Sequence, residues 1–298
     1  MSLGKITDTL KTGKILVSDG AWGTMLHKMG LKPGECPELW CADRFESVAE
    51  IARLYAEAGA DMVQTNSLGS SRIKLEHYGL GNRASEINEA AAKASRAGAG
   101  EKWVIASVGP TGKLLLTEEI TEQELYVAFA EQISALEKGG ADAICIETMS
   151  DIDEALCAVR AAKETTSLEV ICTFTFEKTP RLDFRTIMGA SPSQAACAAF
   201  EAGADIVGAN CGNGIAGMIE VVREIRAALP TIPILVHANA GLPQISDGKV
   251  FFPETPEDMA KAIRELANSG ANIIGGCCGT TPDHIKAIRE QVDLINAG

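Results

Sequence analysis

The chain has 298 residues, 46% of them hydrophobic, with 27 Lys and Arg against 40 Asp and Glu, for a formal charge of -13 that repels polyanions and sets nucleic acid aside. No apolar run reaches the ~18 residues of a bilayer span, and the opening Met1-Ser2-Leu3-Gly4-Lys5 lacks the parts of a signal peptide, so a cytoplasmic protein away from membranes is expected. Nine cysteines without a secretory signal point to reduced thiols in metal or catalytic use rather than to a disulfide framework.

Nearly continuous apolar, β-branched runs recur at residues 14–20, 61–67, 103–109, 142–148, 169–176, 205–211, 233–240 and 272–278. Such runs suit parallel strands covered on both faces, and stretches of helical periodicity separate them. After the first run, the helical stretch 47–58 gathers Val48, Ile51, Ala52 and Tyr55 on one face. Further helices are predicted over 218–229, over 256–267 with Thr255 as N-cap, and over 283–295. Four similar joints, Ala58-Gly59-Ala60-Asp61, Gly139-Gly140-Ala141-Asp142, Ala202-Gly203-Ala204-Asp205 and Ser269-Gly270-Ala271-Asn272, precede the second, fourth, sixth and eighth runs. Glycine there suits a left-handed helix C-cap.

This alternation predicts the α/β class and a (β/α)8 TIM barrel, a fold that absorbs about 250 residues as one unit. No linker composition marks off a second domain, so residues 1–298 are read as one. Two Gly- and Pro-rich segments, 30–41 and 241–253, exceed a minimal barrel and are expected on the face where barrel enzymes build their sites.

The sixth run ends in Gly208-Ala209-Asn210-Cys211-Gly212 and the eighth in Gly275-Gly276-Cys277-Cys278-Gly279-Thr280-Thr281-Pro282. In a barrel these ends are close neighbours on one rim, so three thiols would converge. Adjacent residues on a strand point to opposite faces, so Cys277 and Cys278 can share a metal only where the strand has begun to bend, as the flanking glycines permit. Three thiolates leave one tetrahedral position open, the arrangement of a catalytic Zn2+. A thiol substrate entering there would lose its proton near neutral pH and stay nucleophilic, which favours methyl transfer to sulfur over hydrolysis. Against this stands the plainer reading of Cys211, Cys277 and Cys278 as small buried residues. Cys36, Cys41, Cys145, Cys157, Cys172 and Cys197 are read as packing or surface residues, with Cys36 and Cys41 too few by themselves for a second metal site.

At these residues the sequence resembles the homocysteine S-methyltransferase family, and most closely the homocysteine-binding barrel of cobalamin-dependent methionine synthase. The resemblance runs through Asp19-Gly20-Ala21-Trp22-Gly23-Thr24-Met25, Gln64-Thr65-Asn66-Ser67, Val108-Gly109-Pro110-Thr111, Ile146-Glu147-Thr148, Gly208-Ala209-Asn210-Cys211, Asn239-Ala240-Gly241-Leu242-Pro243 and Gly275-Gly276-Cys277-Cys278-Gly279. It implies a three-cysteine zinc site at Cys211, Cys277 and Cys278 and homocysteine as the substrate. It also places the substrate's amino-acid end against Asp19, Gly20 and Glu147, with Thr65 and Ser107 nearby. Asp19 or Glu147 would hold the ammonium, and the backbone N–H groups of Gly20 and Ala21 the carboxylate. The competing readings are a turn residue for Asp19 and a helix cap or solvated strand end for Glu147. Asn239, on the strand between the cysteine-bearing pair, is a candidate for the fourth zinc position when no thiol is bound. His237 shares its parity and is read as a satisfied core histidine.

The chain stops soon after its eighth run, leaving no room for the folate and cobalamin domains of methionine synthase, so a methylcorrinoid on a partner protein is the donor that the resemblance implies. Betaine and S-methylmethionine are the alternatives within the family. Trp22 bears on them because an indole face attracts a methylated cation, and Trp40 would add a second wall; ordinary packing competes for both. Two other classes stay open: a non-catalytic barrel that holds zinc within a corrinoid methyl-transfer complex, and, weakly, an enzyme of phosphorylated substrates, for which no glycine loop with a basic anchor is evident.

Overall fold

A computed structural model of the protein describes residues 4–246 and 249–298. Eight parallel strands carry the apolar runs: β1 Leu16–Val17, β2 Met62–Gln64, β3 Trp103–Val108, β4 Ala143–Met149, β5 Glu169–Phe174, β6 Ile206–Gly214, β7 Ile234–Asn239 and β8 Ile273–Gly276. Their order in the sheet is β1-β8-β7-β6-β5-β4-β3-β2, so sequence neighbours are also spatial neighbours and the sheet curls into a nearly closed barrel. Each strand leads to a covering helix: α1 Phe45–Glu57, α2 Ala84–Ala99, α3 Glu122–Lys138, α4 Ile152–Thr165, α5 Pro192–Glu201, α6 Ile215–Ala228, α7 Pro256–Asn268 and α8 Pro282–Asn296. The expected (β/α)8 architecture is therefore the observed one. Thr255 caps α7 in a capping box with Asp258, as predicted.

The four joints do more than end helices. Gly59, Gly140, Gly203 and Gly270 adopt φ of +102°, +100°, +104° and +115°, the left-handed region that admits glycine without strain. The Asp or Asn two residues later then clips its strand to the preceding one. Asp61 N–H donates to Val17 O at 2.7 Å while Val17 N–H donates to Asp61 Oδ2 at 2.8 Å. Asp142 repeats this with Val104, Asp205 with Val170, and Asn272 with Ile234, all at 2.7–2.9 Å. A cation steadies each clip: Arg289 on Asp61, Arg96 on Asp142, Lys163 on Asp205 and Arg226 on Asn272. The clip at Asp61 sits where β1 meets β2 and helps hold that seam.

Leu16, Met62, Ile105, Ala143, Cys145, Ile171, Ile206, Leu235 and Ile273 pack together as the lower layers of the barrel interior. A helix at Ile6–Leu10, too short to leave a periodic signature, adds Ile6 and Leu10 to this cluster, and its Ile6 and Thr7 N–H groups donate to the Glu169 carboxylate. The other face of the sheet packs against the helices.

The opposite rim carries the insertions. Segment 241–253 contains a hairpin of Gln244–Ser246 and Lys249–Phe251, with Asp247 and Gly248 outside the described residues, as are Met1 to Leu3. A second hairpin, Glu177–Lys178 with Phe184–Arg185, was not expected from the sequence. Among the described residues no helix is long and apolar enough to cross a membrane.

Candidate active site

β8 stops at Gly276, so Cys277 and Cys278 stand on the bend that a shared ligand role requires. Cys277 N–H donates to Ala238 O at 2.7 Å, and Gly279 turns the chain at φ +84°. A Cβ on Gly276 would lie 2.3 Å from Thr280 Oγ1, so glycine is needed for that close approach. Cys211 reaches the same place differently. It sits within β6 at φ +59°, beside a break in the β6–β7 register between Asn210 and Gly214. A non-glycine residue there costs on the order of 1–3 kcal/mol and is held only by its surroundings.

The ligand atoms of Cys211, Cys277 and Cys278 all lie within 4.8 Å of one another, and Cys211 Sγ is 3.9 Å from Cys278 Sγ. Tetrahedral zinc with Zn–S of ~2.3 Å sets its sulfurs about 3.8 Å apart, so the trio fits such an ion. Held this close, the thiols ionise as a unit. Hydrogen bonds from Cys277 and Cys278, with a smaller contribution from Asn239, pull Cys211 down to about 3. The same contact with Cys211 pushes Cys277 well above its usual range and Cys278 up to about 11. Asn239 Oδ1 is buried and finds no hydrogen-bond partner among the described residues, an acceptor left over at the place the sequence suggested. These observations disfavour the reading of the three cysteines as mere packing. The other six cysteines form no comparable cluster among the described residues. Burial pushes Cys36 and Cys157 up to about 11 and Cys172 up to about 12, away from the reactive thiolate form.

Cys277 and Cys278 form one wall of a cavity of about 250 Å³ that is also lined by Gly20, Trp22, Glu38 and Glu147. A larger cleft of about 740 Å³ lies among the helices, where Glu122 and Arg160 pair at 2.7 Å, but no cluster of buried acids or thiols opens onto it. Glu147, at the break in the β4–β5 register, is buried against Gln64 Nε2, which donates to its Oε1 at 2.6 Å, and against Ser107 Oγ, which donates to the same oxygen. Ser107 N–H in turn donates to Thr65 Oγ1 at 2.9 Å. Burial raises the Glu147 carboxyl above its ordinary range, partly offset by Ser107 and Gln64. Among the described residues no Lys or Arg lines this cavity. A buried carboxylate without a cation is complementary to an incoming ammonium.

Asp19 and Ala21 take different places from those the sequence suggested. Asp19 is wholly buried, and its Oδ2 accepts from Gln64 N–H at 2.7 Å and Trp22 Nε1–H at 2.8 Å, so it supports the cavity from behind. Ala21 lines the cavity, but its N–H already donates to Thr280 Oγ1 at 3.0 Å and cannot also hold a substrate carboxylate. The packing of β1 beside β8 brings Thr280 there. Gly20 is needed in the same corner, where a Cβ would meet Thr280 Oγ1 at 2.8 Å and Tyr55 Cε1 at 2.9 Å. Trp40 does not line the cavity, and its ring already carries the Arg44 guanidinium at 4.2 Å. His237 is buried in the core and neutral, pushed down to about 4 by burial, but its Nε2 finds no partner among the described residues and so is not the satisfied histidine expected. Sequence reasoning assigned no role to Gln64, Asn210 or Glu38. The first two stand inside quoted motifs. Glu38 lies in the 30–41 segment and ties it to the next rim loop by accepting from Gly69 N–H at 2.9 Å.

Burial, reinforced by Glu147, raises the Asp19 carboxyl to about 7 against the pull of its hydrogen bonds. Between the unfolded value near 4 and that level the folded chain keeps a proton the unfolded chain has lost, so stability falls as pH rises through the window. Asn can accept the same two hydrogen bonds without the charge. Asp19→Asn is therefore expected to raise the thermal midpoint relative to wild type at pH 8 by more than at pH 5, a differential on the order of a few kcal/mol, read by calorimetry at the two pH values.

The sequence profile described as homocysteine S-methyltransferase matches residues 16–292. The chain belongs to the homocysteine S-methyltransferase family. It is 30% identical to the methionine synthases of Mycobacterium leprae and Mycobacterium tuberculosis, over 98% and 95% of its own length but only 26% and 25% of theirs. The chain thus spans about a quarter of these curated relatives. Among solved structures it resembles the metallated form of the homocysteine methyltransferase MmuM from Escherichia coli, with a TM-score of 0.78 at 20% identity, covering 95% of this chain and 98% of that one. At that identity the likeness shows a shared barrel. Membership in the family accords with the thiol cluster and the acidic cavity found independently in the geometry.

Proposed function

We propose that this chain methylates the thiol of homocysteine to give methionine, using Zn2+ held by Cys211, Cys277 and Cys278, with a methylcorrinoid on a partner protein as donor. The observation that carries this reading is the convergence of three sulfurs within 4.8 Å, two of them on the wall of a cavity that is also lined by the buried acids Glu147 and Glu38. A zinc ion bound there would accept the substrate thiol at its open position, favour the thiolate near neutral pH and keep it nucleophilic.

The chain's own groups do the rest. Glu147, oriented by Gln64 and Ser107, holds the ammonium; Thr65 fixes Ser107, and Asp19 fixes Trp22 and Gln64. Gly20 lets the chain pack closely on Thr280 and Tyr55 at the edge of the cavity, and Asn239 would offer its spare amide oxygen to a bound metal between turnovers. Fixing both ends of a small thiol leaves one orientation of its sulfur for in-line attack on a methyl group. Such chemistry needs reduced thiols, in keeping with a cytoplasmic setting.

A corrinoid donor is preferred because the mycobacterial relatives are methionine synthases and because Trp40 is not available to wall in a methylated cation. The test is methionine formation by zinc-loaded chain from homocysteine with each donor in turn. Methylcobalamin or a methylated corrinoid protein is expected to support turnover. Turnover with betaine or S-methylmethionine alone would overturn the donor, and none with any donor would favour a non-catalytic subunit and overturn the activity.

A further inference from the structure

Asn210 is wholly buried in β6, one residue before Cys211. Its Oδ1 accepts from Thr148 N–H at 2.8 Å and from Thr173 Oγ1–H at 2.7 Å, and its Nδ2 donates to Thr148 Oγ1 at 2.7 Å. Its backbone carbonyl accepts from Thr175 Oγ1–H at 3.0 Å. One amide thus grips both the main chain and the side chain of Thr148, the neighbour of Glu147. Thr148 adopts φ +61° and Cys211 φ +59°. A β-branched residue in that region is a genuine outlier, and such conformations persist where the surroundings over-determine them. Both bends aim a side chain that the proposed reaction uses: Glu147 for the amino-acid end of the substrate, Cys211 for the metal.

We propose that Asn210 is a positioning residue that sets the separation between Glu147 and the cysteine cluster, and thereby selects the thiol by chain length. This rests on the functional reading above. Glu147 and Cys211 lie at register breaks on separate strands, where the β-ladder no longer fixes their spacing. β5 stands between those two strands, so no ladder joins them directly, and the Asn210 side chain spans from β6 to Thr173 on β5 and Thr148 on β4. A cavity holding an ammonium at one end and a sulfur at the other measures the carbons between them. Homocysteine has two side-chain methylenes and cysteine one, so a rigid spacing that suits the first leaves the second unable to satisfy both ends.

The test is calorimetric binding of homocysteine and of cysteine to zinc-loaded wild type, Asn210→Ala and Thr173→Val, with zinc retention against a chelator as a parallel readout. The ratio of the cysteine Kd to the homocysteine Kd is expected to fall at least about fivefold in Asn210→Ala. Thr173→Val, nearly isosteric and outside the cavity wall, should shift the ratio the same way by a smaller factor, and it carries the test should Asn210→Ala fail to fold. Faster zinc loss from Asn210→Ala is also expected, because Cys211 is no longer held. A role in folding alone would weaken both thiols by the same factor, and an unchanged ratio in the folded variants overturns the proposal. Wild type that binds neither thiol overturns the functional reading and this inference together, whereas wild type that binds homocysteine with unchanged ratios in the variants overturns this inference alone.

Discussion

Replacing Cys277 with alanine is expected to leave the barrel folded and to take its metal away. The residue follows the end of β8, where its N–H bond to Ala238 survives the substitution, so the strand has no reason to move. Two sulfurs remain, and two ligands are too few to hold zinc against a competing chelator. Loss of a residue that merely orients a ligand weakens metal binding about 10–100-fold, so loss of a ligand should exceed about 100-fold. Methyl transfer should fall by at least about 30-fold, because a free thiol of pKa ~8.5 is only about 3% thiolate at pH 7. Cys211→Ala and Cys278→Ala should behave alike, whereas Cys172→Ala, which removes a thiol buried in the core, should keep its zinc. Metal analysis after chelator treatment, with thermal midpoints alongside, separates ligand loss from unfolding.

Glu147→Gln is the second large effect, and it acts on the substrate alone. The amide oxygen of Gln can still accept from Gln64 and Ser107, so the variant removes charge more than shape. Losing the buried partner of an ammonium costs about 2–4 kcal/mol, which corresponds to roughly 30- to 1000-fold in the homocysteine Kd. Zinc content should not change. Burial raises the Glu147 carboxyl, so the charge that holds the ammonium is lost as pH falls through that raised value. Wild type should therefore weaken on acidification in that window through this group, and Glu147→Gln should lack that component. A Kd that moves equally in the two proteins would assign the pH dependence elsewhere.

The strands could be read because each is buried on both faces and so is written as an unbroken apolar run; all eight lie within a few residues of their predicted places. The cysteine cluster was legible for another reason, since a thiol carries its chemistry whatever surrounds it. What the sequence hid depends on partners far along the chain. Asn210 works through Thr148, 62 residues away, and Thr173, 37 residues away, and no local pattern marks such a bond. Asp19 looked like a substrate contact, but its Oδ2 accepts from both Trp22 and Gln64, and only packing decides that. The Asp and Asn of the four joints were visible as a repeat, yet their use as clips follows from the closure of a barrel around them. The hairpin at Glu177–Lys178 and Phe184–Arg185 is mostly polar and two residues deep on each arm, below the length at which alternation can be recognised.

X-ray absorption at the zinc edge, on the full chain loaded with metal and compared with and without homocysteine, tests the central claim most directly. Cys211, Cys277 and Cys278 as joint ligands predict about one zinc per chain with three sulfur neighbours and one lighter atom, changing to four sulfurs when homocysteine is added. Zinc bound without sulfur neighbours, or a spectrum that homocysteine leaves unaltered, would contradict it.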